Sequence, residues 1–228
     1  VLSFYKRVRR ILWTLSRLFT AGSARGLSSR GPFPKKHFSR YSRPSWADSQ
    51  PWEVYLAAGT VLDKLREENL KLFKSGAPRA IEVPAPPKWP DEIQGRIERN
   101  MGERSRDLGI EREDKAGRQK LIEQNFRFFD APAVAFLCMD RTLSLWSSFD
   151  MGAFSYGLML AAREFGVDSV PAVMQVSYPD LIRETLNIPA ELTILFAVAL
   201  GYQDEANPIN NFRSVRRPAD EIVHFIGV

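Results

Sequence analysis

Only one cysteine, Cys138, and two histidines, His37 and His224, occur in the 228 residues. A lone cysteine excludes an internal disulfide framework and any cysteine-based metal cluster within one chain. Neither histidine is near Cys138 in sequence, and lone buried thiols are inert as a rule, so Cys138 reads as a small core hydrophobe and not as a nucleophile. There is no HExxH or CxxC pattern and no G-x-G-x-x-G after a strand-like run. No metal site and no Rossmann dinucleotide fold is therefore expected. Long apolar runs are missing as well. Residues 11–20 are too few to span a bilayer and include Arg17, so no transmembrane segment is expected. These absences suit a reducing cytoplasm.

Acidic residues are absent from the first 47 positions, which hold 11 of the 32 Lys and Arg. The remainder carries 21 basic against 27 acidic residues, a net charge of −6. The overall +5 is thus concentrated at one end, unlike the charge of a uniformly basic nucleic-acid binder. Residues 1–43 form an atypical basic segment. Arg-rich, Ser-rich and acid-free, it fits a mitochondrial transit peptide, and it fits equally a basic arm for nucleic acid or anionic lipid. Residues 44–228, in a chain with 44% hydrophobic content, suffice for one globular domain with a real core.

Along that domain, Glu53 to Ala57 alternates apolar and polar residues as a half-buried strand does. Thr60 to Ser75 has helical spacing, with Thr60 and Asp63 as a capping box, Val61, Leu62, Leu65 and Leu72 as the stripe, Glu67 and Lys71 as an i,i+4 pair, and Gly76 as the stop. The run VPAPPKWP at 83–90 reads as an extended connector. Residues 91–125 are dense in both charge signs and predict two exposed helices, interrupted at Gly102 and Gly109. Phe126, Phe128 and Phe129 read as core or dimer contacts. Ala133 to Met139 is a short continuous apolar run, the pattern of a strand covered on both faces. Asp150 to Phe165 is the clearest helix, with Met151, Phe154, Leu158, Ala161 and Phe165 on one face and Gly152 and Gly157 permitting close approach of a second helix. Pro179 opens a short helix through Leu186, and Leu192 to Leu200 is a second apolar strand.

Two stretches carry chemistry. In PSWADSQPWEVYLAAG, Pro44 to Gly59, the short polar side chains of Ser45, Asp48, Ser49 and Gln50 sit on a turn stiffened by Pro44 and Pro51, suited to the polar edge of a flat heterocycle. Near the C-terminus, Asn210, Asn211, Arg213, Arg216 and Arg217 form a polar-basic cluster. Guanidinium forks match pairs of phosphate oxygens, and a solvated loop is the plain alternative.

PSWADSQPW resembles the signature PS(x)xN(T/S)QPW of the FMN-dependent nitroreductase family, and AVALGYQDEANPINNFRSVRRPADEIVHFIGV, Ala197 to Val228, resembles that family's ending with its NxxRxxRxP motif. The resemblance covers about Pro44 to Val228 and points to a nitrobenzoate-reductase-like branch. It implies an α+β nitroreductase-like fold: a central, mostly antiparallel sheet flanked by helices, in a homodimer with the 150–165 helix at its centre. It implies an enzyme that uses NADH or NADPH and FMN to reduce nitroaromatics or quinones by a ping-pong mechanism. Flavin N5 carries that chemistry, so no catalytic side chain, no metal, no nucleic acid and no membrane partner is expected.

The resemblance also assigns positions. Ser45, Trp46, Asp48 and Gln50 meet the flavin ring, the backbone of Pro171, Ala172, Val173 and Met174 faces it, and Arg213 and Arg216 meet the phosphate. For the charged stretch at about 83–125 the resemblance implies a lid that covers the flavin and shapes substrate choice, and a solvated excursion is the plain alternative. Arg9 and Arg10 are the nearest match to the family's phosphate-binding RRSxRxF, with Ile11 where the serine belongs. The Gly, Ser and Pro after them do not sustain the family's second helix, so a frame error upstream of Pro44 is a third reading of residues 1–43. A relative that fails to retain FMN because of that opening segment is the alternative function. Asp48 stands where relatives carry Asn, and an ionised carboxylate repels the flavin carbonyls, so weaker FMN binding is expected. Tyr156-Gly157 likewise replaces a family Gln-Asn.

Overall fold

The computed structural model describes Lys6, Ser45 and residues 47–226. Arg9, Arg10 and Trp46 lie outside the described residues. The described residues fall into two compact units, one reaching Pro84 and resuming over Glu123–Tyr202, the other made of Ala85–Ile122 with the chain from Gln203 onward.

The first unit is built on an antiparallel sheet of β1 (Glu53–Ala58), β2 (Ala133–Asp140), β4 (Leu192–Gly201) and β3 (Asp168–Ala172), in the order β1-β2-β4-β3. β2 is central, and its apolar run is buried on both faces for a simple reason: helices cover both. Ala133, Ala135, Leu137 and Met139 meet Met151, Phe154, Leu158 and Ala162 of α4 (Leu145–Glu164). Val134, Phe136 and Cys138 meet Leu62 and Leu65 of α1 (Gly59–Lys74) and Ile182 of α5 (Pro179–Leu186). Each large side chain buried this way contributes about 1.5–3 kcal/mol. Pro171 sits in β3, an edge strand, where its missing N–H costs least.

Two devices fasten the turns. Between α3 (Lys115–Phe126) and β2, three successive residues, Phe128, Phe129 and Asp130, take positive φ of 54°, 53° and 53°. Such left-handed backbone costs roughly 1–2 kcal/mol per residue. Arg66 on α1 holds that turn by donating to the carbonyls of Arg127 at 2.9 Å and Ala131 at 2.7 Å. The second device is Glu82, at the start of the connector. Its carboxylate accepts from Arg183 at 2.7 and 2.8 Å, from Arg141 at 2.5 Å and from the Ile194 N–H at 2.6 Å.

In the second unit α2 (Asp91–Asp107) has no fully buried residue and packs on the 3-10 turn Pro208–Asn211. Two helices are found over 91–125, as expected, but only α2 is exposed; α3 is half-buried along most of its length and ends on the buried Phe126. Gly102 does not interrupt α2; Gly109, at φ 65°, lies just past its end.

Three further local expectations are corrected. No side-chain cap closes α1: its N-cap is Ala58, because Gly59 at φ 58° already turns the chain into the helix and displaces the Thr60–Asp63 capping box. Lys71 pairs with Glu68 at 3.2 Å in place of Glu67. α4 begins at Leu145, ahead of Asp150, and its first turn was hidden because it exposes apolar residues, Leu145 and Phe149.

Candidate functional site

The loop before β1 is folded by its own polar groups. Ser45 Oγ lies 3.2 Å from Ser49 Oγ and accepts from the Gln50 N–H at 3.3 Å, while Gln50 Nε2 donates to Asp48 Oδ1 at 3.1 Å. Asp48 and Gln50 take positive φ of 53° and 47°, strained backbone for non-glycine residues. The next two residues anchor that strained turn: Pro51 is buried, and Trp52 stacks on Phe154 of α4 with ring centroids 4.9 Å apart. Ala47, Asp48, Ser49 and Gln50 remain exposed. The loop thus presents hydroxyl, amide and carboxylate groups to solvent from a rigid base.

Strand register places a second predicted segment at the same end of the sheet. Glu53, at the start of β1, is opposite Cys138, which is opposite Ile194, while Ala172, at the end of β3, is opposite Ala197. The polar loop and Pro171–Met174 therefore hang from one end of the sheet, on its two edges, with β2 and β4 between. Three strand spacings correspond to roughly 14 Å. Pro171 and Val173 are exposed; the chain closes into a short 3-10 turn after Val173, with the Val176 N–H donating to the Val173 carbonyl at 3.0 Å. Cys138 is fully buried, and burial pushes its thiol up to about 12, which keeps it protonated and unreactive. Among the described residues no group of three or more His, Cys, Asp or Glu could hold a metal ion, and no helix is long and apolar enough to cross a membrane.

The basic cluster lies in the second unit. Arg213 is folded back on its own loop, donating to the carbonyls of Asn210 at 2.6 Å and Phe212 at 2.9 Å. Arg216 bonds Ser214 and lines a cavity of about 130 Å³ together with Arg217 and, from α2, Arg96, Arg99 and Asn100. The α2 members were not singled out in the sequence, although 96, 99, 100 and 103 recur at one-face helical spacing. The charge density of 91–125 masked that stripe.

The sequence model of the Nitroreductase family matches residues 9–202. A 4-nitrobenzoate reductase of Pseudomonas putida is 30% identical over 192 residues, 81% of each chain. A nitrobenzene nitroreductase of Ectopseudomonas oleovorans is 29% identical over 191 residues, 80% of this chain and 82% of that one. Among solved structures, the FMN and NADPH-dependent nitroreductase NfnB from Sphigopyxis sp. strain HMH superposes with a TM-score of 0.79 at 24% identity, covering 98% of this chain and 90% of that one. NfnB from Mycobacterium smegmatis in complex with NADPH gives 0.75 at 24% identity, covering 94% and 99%. With the antiparallel sheet, the polar loop ahead of β1 and a family match over most of its length, the chain belongs to the nitroreductase family.

Proposed function

We propose that the protein is an FMN-dependent oxidoreductase that uses NADH or NADPH to reduce nitroaromatic compounds, and quinones in the same pocket, by a ping-pong mechanism. The observation that carries this reading is the match, over four fifths of the chain, to relatives named for reducing nitrobenzene and 4-nitrobenzoate. Bound FMN supplies the two-electron exchange between a nicotinamide and an acceptor.

The donor set fits that group. Ser45, Ser49 and Gln50 offer hydroxyl and amide donors for the carbonyl edge of the ring, and Asp48 offers an acceptor for a ring N–H. Trp46, Arg9 and Arg10 keep the roles that the family resemblance gives them. The backbone of Pro171–Met174 takes the opposite side, with Pro171 and Ala172 held in the β3–β4 ladder and Val173 and Met174 in the 3-10 turn that follows. Arg216, reaching a cavity, takes the phosphate; Arg213 holds the shape of its own loop.

A second copy of the chain completes the assembly. α4 exposes Leu145, Phe149, Tyr156 and Leu160 at helical spacing, with Gly152 between them, and a helix that is apolar on its solvent face as well as its core face asks to be covered. We place the protein in the cytoplasm and read 83–125 as the lid. The test is reconstitution of the full chain with FMN, then nicotinamide oxidation against a panel of nitroaromatics and quinones.

A further inference from the structure

We propose that the cavity of the second unit is a phosphomonoester site in which Arg96 and Arg99 of α2 act with Arg216 and Arg217. The proposal rests on the flavoenzyme reading above and adds two α2 residues to it. The cavity is about 130 Å³, several times the roughly 30 Å³ that one water occupies. It admits a group of a few heavy atoms, the size of a phosphate, and not a whole nucleotide.

The charge in the wall matches such a group. Among the described residues that line it, Arg96, Arg99, Arg216 and Arg217 stand with the carboxylates of Glu103 and Glu221, a net of two positive charges. A phosphomonoester carries about −1.5 to −2 at neutral pH. The arginines are not equally committed. Arg96 is paired with Glu92 on its own helix, and Arg217 with Glu221 at 3.3 Å. Arg216 is held by Ser214. Among the described residues Arg99 has neither a hydrogen bond nor an ion pair, so its full fork is available.

A second observation points to a missing partner. Asn100, in the same wall, has its side-chain Oδ1 buried and unbonded. A buried polar atom without a partner costs about 1–3 kcal/mol, and a half turn of the amide puts an NH2 where that oxygen lies. Two α2 guanidinium groups one helical turn apart and a neighbouring amide, opposite two C-terminal guanidinium groups, make a bidentate cradle for oxyanion oxygens.

Two molecules of the proposed reaction carry such a group: FMN at its tail and NADPH at its ribose. The experiment separates them. In the full-length protein, Arg96→Gln/Arg99→Gln is compared with wild type for FMN against riboflavin affinity by flavin fluorescence, for NADPH against NADH KM, and for inorganic phosphate binding by calorimetry. Both positions lie on a helix with no fully buried residue, and circular dichroism checks that the fold is retained. The expected result is a loss of about tenfold or more for one phosphorylated ligand, with its unphosphorylated counterpart within about twofold. A change in the FMN to riboflavin ratio assigns the site to the flavin, and a change in the NADPH to NADH ratio assigns it to the nicotinamide donor. Phosphate binding lost in the variant, in a protein that takes neither flavin nor nicotinamide, keeps the site while the flavoenzyme reading falls. Unchanged ratios with unchanged phosphate binding, or equal losses for phosphorylated and unphosphorylated ligands, overturn the proposal.

Discussion

Two carboxylates illustrate how differently one residue type behaves when its surroundings differ. Asp48 is exposed, and its Oδ1 accepts only from Gln50 within the polar loop. Among the described residues no cation pairs with that carboxylate to offset its repulsion of a flavin carbonyl. Asparagine keeps the acceptor for Gln50, tolerates positive φ well and adds a donor. Asp48→Asn is therefore expected to tighten FMN binding by about three- to tenfold, on the order of 1 kcal/mol. Fluorescence titration checks it, and equal or weaker binding would remove the reasoning. Glu82 is the contrasting case, with its side chain 13% exposed and three donors around it. Burial alone would raise its carboxyl, but the hydrogen bonds from Arg183, Ile194 and Arg141 more than offset that and hold it below its ordinary 4.5. A carboxyl lowered in the folded state binds fewer protons there than when unfolded. Its contribution is present above pH 4.5 and is lost as the pH falls through the lower folded value. Glu82→Ala is expected to cost about 3 kcal/mol of unfolding free energy at neutral pH, because it leaves Arg183 with its backbone carbonyl acceptors but without its countercharge. The difference from wild type should shrink on acidification below pH 4.5; a pH-independent difference in denaturant titrations would count against the linkage.

At the scale of elements, legibility tracked burial. β2 and β4 were readable because continuous apolar runs of strand length have few other homes, and α4's inner face because Met151, Phe154 and Leu158 repeat at helical spacing. What escaped was set by backbone geometry or by contacts distant in sequence. Glu82 gave no local sign that Arg141 and Arg183 would reach it across the fold. The left-handed turn at Phe128–Asp130 has no glycine to announce it and exists because Arg66 ties its two ends and Phe126 and Phe128 are buried. The anionic-group cavity needed α2 and the C-terminal chain together, whereas the sequence offered only half of it, at Arg216 and Arg217. α4 also sets a prediction at this scale. Tyr156 and Leu160 are 62% and 52% exposed on a face otherwise apolar. Tyr156→Glu/Leu160→Glu is expected to shift the protein from dimer to monomer in sedimentation velocity at micromolar concentration with helix content unchanged. A wild-type monomer, or a variant that stays dimeric, would take α4 out of the interface.

For the whole molecule, the division of labour depends on which parts are rigid. The sheet and its two helical layers supply the fixed base from which the polar loop and Pro171–Met174 project at one end. The charged second unit gathers Arg96, Arg99, Arg216 and Arg217 around its own cavity. The most direct measurement mixes the FMN-reconstituted full chain anaerobically with NADPH, and only afterwards with 4-nitrobenzoate. The account predicts that the flavin absorption band bleaches with the first reagent alone and returns with the second. A chain that keeps no flavin through gel filtration, or a band that bleaches only when both reagents are present, would contradict it.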